Sequence, residues 1–278
     1  MAILLGGGIA NATATVMALG NDGRFDLRKA YWLIAGIAGG DPEDLSLGSA
    51  AWAKHVVDGD LAYEIDGREI PAGWPYGMVP LGGTEPADDP SDLSTTWTMD
   101  NIAFALNDAL VEWAFSITQH IDLGDSPGIR EYRQRFSGFG NAQKPPFVAI
   151  GDTLSASTYW HGRKLNVWAN DWVKLYAGAD ANFMTSNMED SGTLTALQRL
   201  AESDLVDMNR VLVLRTVSNY TTPPPGKTAQ WSRTVPYPDG SKPSLESAFV
   251  VGNAVVQALV EGWERFEHET PRVADGQR

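Results

Sequence analysis

The sequence predicts an α/β fold in which helices cover a largely parallel or mixed sheet. Three observations carry this. Short apolar runs such as residues 147–150 and 211–216 are too short for helices and suit buried strands. Between such runs lie longer stretches with apolar residues at helical spacing. The two patterns alternate along the chain, as expected of βαβ construction. With 278 residues and 43% hydrophobic content there is material for a sizeable core. No shift in composition divides the chain, so one domain over residues 1–278 is expected.

Taken in order, residues 2–5 read as a strand, followed by Gly6-Gly7-Gly8 and a helix from about Asn11 to Leu19, the opening of a βαβ unit. Residues 31–35 read as the next strand, ending in a glycine turn at 36–40 that lets backbone approach a ligand. Residues 50–65 are strand material with a turn at Asp58-Gly59, and residues 71–94 are a Pro/Gly/Asp-rich loop. A helix is expected over residues 100–117, capped by Asp100, with Ile102, Leu106, Ala109, Trp113 and Ile117 on one face. Leu165, Trp168, Trp172 and Leu175 repeat at helical spacing and predict a helix against the sheet. Residues 185–200 read as a loop turning into a helix. Asp190 and Ser191 are its capping residues and Leu194, Leu197 and Leu200 its apolar stripe. After the strand at 211–216, Ser218, Asn219 and Tyr220 lead into a Pro-rich loop at 221–226. Residues 244–266 form the closing helix, with Leu245, Phe249, Gly252, Val256, Leu259 and Trp263 facing inward.

Composition narrows the function classes. Twenty-one basic against 35 acidic residues give a net charge of −14, which repels phosphate backbones and argues against a nucleic-acid partner. The absence of cysteine removes disulfides, thiolate catalysis and Cys-based metal sites. His55, His120, His161 and His268 lie far apart with no metal-ligand spacing, so neither a metal nor a cofactor is expected. No stretch reaches the roughly 18–20 apolar residues of a membrane helix. The opening residues read as a core strand rather than a leader peptide, which leaves the compartment undetermined.

In open α/β sheets ligands bind beyond the carboxyl ends of strands. Met188, Glu189, Arg215 and Asn219 are therefore expected to face one pocket. A carboxylate, a cation and an amide beside a thioether suit a sugar diol and a heterocycle. Read for structure alone, Glu189 and Asp190 suit a helix N-terminus, Arg215 an ion pair, and Asn219 a turn.

Six stretches together resemble the purine nucleoside permease family, whose fold is that of the nucleoside phosphorylase and nucleosidase superfamily. They are GGGIANAT at 6–13, YWLIAGIAGGDP at 31–42, DGDLAYEIDGRE at 58–69, GDTLSASTYWHG at 151–162, NMEDSGT at 187–193 and RTVSNY at 215–220. The resemblance implies a three-layer α/β/α sandwich around a twisted mixed sheet. It implies that Met188 packs on a ribose and Glu189 hydrogen-bonds it. It places Asn219 near purine N7 and makes Arg215 the buried arginine that orients Asn219. Ala38 and Gly39 would line base and ribose, Ser218 would stand beside them, and Tyr159, Trp160 and His161 would lie near the stacking segment. Two departures matter. Ile34 and Ile37 stand where hexameric phosphorylases carry an arginine and a serine for phosphate. The superfamily's first strand and loop, ahead of the Gly6 region, do not occur in this sequence.

Cleavage of an N-glycosidic bond develops positive charge on the sugar. Glu189 is the expected ribose carboxylate, and Asn219 the group that stabilises the departing purine, although an amide donates no acidic proton. With isoleucines at the phosphate positions, water is favoured as nucleophile over phosphate. Purine nucleoside hydrolysis is thus the first reading. A non-catalytic nucleoside-binding or uptake component is the second. A phosphorylase taking phosphate is the third. Superfamily members are commonly dimers, trimers or hexamers, so the resemblance also implies a homo-oligomer.

Overall fold

A computed structural model describes residues 1–93 and 102–273. Among them eight strands form two sheets. The main sheet contains β1 (Trp32–Gly40), β2 (Ala50–Asp58), β5 (Ala103–Ala105), β6 (Val148–Ser155), β7 (Phe183–Asn187) and β8 (Val211–Tyr220), in the order β5-β2-β6-β7-β1-β8. A small antiparallel pair joins β3 (Ala62–Glu64) and β4 (Met78–Pro80). The main sheet is mixed, as expected. β1 runs parallel to β8 and β2 to β6, whereas β1 is antiparallel to β7. It also curls until β8 pairs with β2, Ala50 opposite Thr216 and Trp52 opposite Leu214.

Helices cover both faces. They are α1 (Ile9–Gly20), α2 (Asp108–Thr118), α3 (Pro127–Arg133), α4 (Arg163–Ala177), α5 (Asp190–Ala201), α6 (Ala229–Thr234), α7 (Lys242–Glu261) and α8 (Trp263–Phe266). Successive strand residues point to opposite faces, and β2 shows the result. Trp52 and Val56 enter a core with Leu194 and Leu197 of α5 and Val251 and Val255 of α7. Val57 enters a second core with Trp168 and Trp172 of α4, and Ala51 a third around Tyr220 and Phe136.

Several expected boundaries move. Residues 2–5 form no strand, and Leu4 is almost fully exposed. The glycines at 36–40 are not a turn but the second half of β1. Their value is close approach: a Cβ at Gly36 would lie 2.6 Å from Arg215 Nη1. The helix expected over 100–117 starts at Asp108, because Ala103–Ala105 pair with β2 first and Asn107 Oδ1 accepts from the Leu110 N–H to cap it. Ala109 and Ile117 are exposed, and Leu110, Val111 and Ala114 make the inner face with Trp113. The Asp100 cap lies outside the described residues. The 71–94 loop contains β4 and a 3-10 turn at Pro90–Asp92.

The closing helix divides into α7 and α8 at Gly262. Its buried residues are Ser244, Ser247, Val251, Gly252, Val255 and Leu259. Of the expected inward face only Gly252 and Leu259 are buried, whereas Leu245, Phe249, Val256 and Trp263 are exposed. By length and composition α7 is apolar enough to cross a bilayer, which corrects the expectation that no segment is. Asn253 and Gln257 interrupt the apolar run without undoing its average. Its inner side packs on Leu33 and Leu214 of the sheet.

Candidate functional site

The candidate residues meet around the carboxyl-terminal half of β1, residues 37–39. β7 delivers Met188 and Glu189 on one side of β1, since Gly39 is paired with Ser186. β8 delivers Ser218 and Asn219 on the other side, with Asn219 in register with Gly39. A register shift between Ala38 and Gly39 accommodates this.

Glu189 stands at the start of α5, half-buried. Its Oε2 lies 3.4 Å from Arg215 Nη1 and accepts from the Met188 N–H at 3.3 Å. Its Oε1 accepts from the Gly8 N–H at 3.5 Å. Gly8 is the residue before α1, so that helix turns its positive end toward the carboxylate. All three contacts are long, and acceptor capacity remains for a diol. Close approach of α1 to α5 makes this arrangement possible. A Cβ at Gly192 would collide with the Ile9 carbonyl oxygen and lie 2.7 Å from Thr13 Oγ1.

Arg215 corrects one expectation. It does not orient Asn219. Its Nε donates to Asp190 Oδ2 at 2.9 Å and its Nη2 pairs with Asp190 Oδ1. Its Nη1 donates to the Ile37 carbonyl at 3.2 Å. Burial pushes the Arg215 guanidinium down, but the Asp190 and Glu189 carboxylates outweigh it and hold it above its ordinary range. Burial likewise pushes the Asp190 carboxyl up, against the pull of Arg215. The two-point contact to an arginine that keeps its proton makes this an ion pair. The structural reading of Arg215 therefore holds. Asp190 is not a cap either. Asn187 Oδ1 accepts from the Glu189 and Asp190 N–H groups, and Ser155 Oγ accepts from the Ser191 N–H.

Ser218 is what orients Asn219. Ser218 Oγ lies 3.2 Å from the Ala38 carbonyl and 3.0 Å from Asn219 Oδ1. The Asn219 amide then donates from Nδ2 to Tyr159 Oη at 3.0 Å and to its neighbour Tyr220's carbonyl at 3.3 Å. Tyr159 is exposed, with the Arg233 guanidinium 5.8 Å from its ring centroid. Trp160 turns away: it is buried against Trp168 and Phe183 in the α4 core. His161 is half-buried, and burial pushes its imidazole down, so it is neutral at neutral pH. Ala38 is buried and offers backbone, not side chain. Ile34 belongs to the core, and Ile37 is 38% exposed, so of these two isoleucines Ile37 alone stands at the surface. The roles of Asp190 and Gly8 were missed. Their signals were an aspartate directly after Glu189 and a glycine run directly before a helix.

A hollow of about 550 Å³ opens elsewhere, on α7, and touches none of these residues. Among the described residues there is no cluster of His, Asp and Glu suited to a metal ion.

The fold is one that solved nucleosidases share. The chain is similar in structure to a 5′-methylthioadenosine/S-adenosylhomocysteine nucleosidase of Neisseria meningitidis, TM-score 0.51 at 16% identity over 92% of this chain and 80% of that one. It is similar as well to futalosine hydrolase of Helicobacter pylori, TM-score 0.52 at 14% identity over 92% and 78%. At such identities the likeness concerns fold. The family is closer: the chain belongs to the purine nucleoside permease family, whose model matches residues 1–271. A purine nucleoside permease of Candida albicans is 29% identical over 267 residues, 95% of this chain and 64% of that protein. A probable purine nucleoside permease of Schizosaccharomyces pombe is 31% identical over 222 residues, 77% and 62%. The chain thus spans a little under two thirds of the length of these relatives.

Proposed function

We propose that the chain binds a purine nucleoside over residues 37–39 of β1 and cleaves its N-glycosidic bond with water. One observation carries this reading: Glu189 and Asn219 flank the same three residues, each fixed by its own neighbour, Arg215 and Ser218. The Glu189 carboxylate takes the ribose hydroxyls, and Met188 packs beneath the sugar. Asn219 Nδ2, now turned to Tyr159, donates to the purine instead, at N7 and at a 6-oxo group where present. Water adds to C1′ and gives up one proton to solvent as the C1′–N9 electron pair leaves with the purine. The purine regains a proton from solvent, since Asn219 has none to give. Ile37 offers no donor to a phosphate ion, which supports hydrolysis over phosphorolysis.

The test is chromatography of products from inosine, guanosine and adenosine, with and without phosphate. Free base and ribose without phosphate are expected. Ribose 1-phosphate would replace hydrolysis by phosphorolysis. The Glu189→Ala variant should lose at least about tenfold in kcat/KM, the scale of one charge-assisted hydrogen bond. Equal turnover in variant and wild type would remove Glu189 from the mechanism. A second reading, nucleoside binding in the service of uptake, is supported by the names of the fungal relatives and by the missing proton donor at Asn219. Tight binding with no base release would select it.

A further inference from the structure

We infer that the Tyr159 hydroxyl reads the 6-position of the base. It donates to O6 of a 6-oxopurine and so selects inosine and guanosine over adenosine. This deepens the purine nucleoside reading above and rests on it. The chain around Tyr159 fixes its place. Trp160 is anchored against Trp168 and Phe183, and the Gly162 N–H donates to the Thr221 carbonyl at 2.9 Å, which ties the segment to the end of β8. Tyr159, beside that anchor, faces outward. It is 51% exposed, and its Oη lies 3.0 Å from Asn219 Nδ2.

The hydrogens of this pair can be counted. A carbonyl oxygen only accepts, so the amide atom 3.3 Å from the Tyr220 carbonyl is the nitrogen. The second hydrogen of that nitrogen goes to Tyr159 Oη. The phenol is therefore the acceptor in this contact, and its own proton is left over. Among the described residues no acceptor lies within hydrogen-bond distance of it. Phenols keep this proton up to about pH 10. The site thus presents two donor atoms 3.0 Å apart, Asn219 Nδ2 and Tyr159 Oη. A 6-oxopurine carries two acceptors side by side on one edge, N7 and O6, which a single guanidinium can span. Asn219 takes N7 and Tyr159 takes O6. A 6-aminopurine offers an acceptor and a donor there instead. As the C1′–N9 bond breaks, negative charge spreads over the purine onto O6, so a donor at O6 tightens in the transition state. Against adenosine the hydroxyl can only accept from the amino group, which does nothing for that charge. The Tyr159 proton stays on Tyr159 throughout.

The test compares wild type with Tyr159→Phe on inosine, adenosine and purine riboside, which has hydrogen at C6. The variant keeps the ring, with Arg233 5.8 Å from its centroid, and removes only the exposed hydroxyl, so circular dichroism should not change. The ratio of kcat/KM for inosine to that for purine riboside should fall about tenfold, the scale of one hydrogen bond. The inosine-to-adenosine ratio should fall likewise. All three substrates carry N7, so a disturbed Asn219 lowers all three equally and leaves both ratios in place. If the chain binds without cleaving, dissociation constants give the same two ratios. Unchanged ratios in a variant whose wild type cleaves or binds inosine overturn this inference alone. A wild type that neither binds nor cleaves any of the three overturns the nucleoside reading and this inference with it.

Discussion

Asp190 and Arg215 show how a single residue can serve a site without touching a ligand. Both are buried, and each would be an uncompensated charge without the other. Their pairing leaves one edge of the guanidinium, Nη1, for the Ile37 carbonyl and Glu189. Glu189 is thus held by a cation that is already largely neutralised. Replacing Asp190 by Asn should cost about 3–5 kcal/mol of stability, the scale for removing one partner of a buried pair. Urea denaturation checks this, and an effect below about 1 kcal/mol would mean that water or another carboxylate satisfies Arg215. Arg215 and Glu189 are legible in the sequence, but the family resemblance gives the arginine to Asn219. One dimension does not say which side chain the guanidinium reaches, because two adjacent carboxylates and an amide all lie within the same motifs.

At the scale of elements, the approach of α1 to α5 decides where Glu189 sits. Gly192 permits it. Gly192→Ala should destabilise by about 1–3 kcal/mol through overpacking, because the new methyl meets the backbone of Ile9 rather than a movable side chain. A smaller loss of stability accompanied by unchanged nucleoside affinity would show that α1 can shift freely. A second link joins β2 to β6. His55 Nδ1 lies 2.8 Å from Asp152 Oδ1, which also accepts from the His55 N–H. The Asp152 hydrogen bond raises the His55 imidazole above its usual range, more than partial burial lowers it. A raised folded value means protonation favours the folded state. The contribution is therefore full below the unfolded value of about 6.5 and is lost as pH rises through the folded value. Unfolding free energy should fall across that window in wild type, and less in His55→Asn. Parallel pH profiles for the two proteins would refute the link. The longer helices α1, α2, α4, α5 and α7 were legible in the sequence, whereas the short α3 and α6 carry too few turns to show a period. Helix starts were not legible: Asp108 rather than Asp100 begins α2 because the residues before it are recruited by β2.

For the whole molecule, curvature and charge dominate. The sheet bends until β8 reaches β2, so that β1 and its neighbours end at one place rather than along an open edge. The net charge of −14 implies self-repulsion spread over the surface. Added sodium chloride should therefore raise the thermal midpoint, since screening shortens the reach of like charges. Differential scanning calorimetry against salt measures the effect. A midpoint that falls with salt would indicate that ion pairs such as Arg133–Asp125 outweigh the repulsion.

The residues by themselves determined the class of fold and, through ordered motifs, the family, because periodicity and motif order survive in one dimension; they left the sheet parallel or mixed. They also named Glu189 and Asn219. Only the tertiary structure decided what holds those two in place. It gave Glu189 to Arg215 and the Gly8 backbone, gave Asn219 to Ser218, sent Trp160 into the core, and left one side of α7 uncovered. Each of these depends on which surfaces meet in three dimensions, and helical spacing marks an apolar side without saying whether the sheet or another molecule covers it.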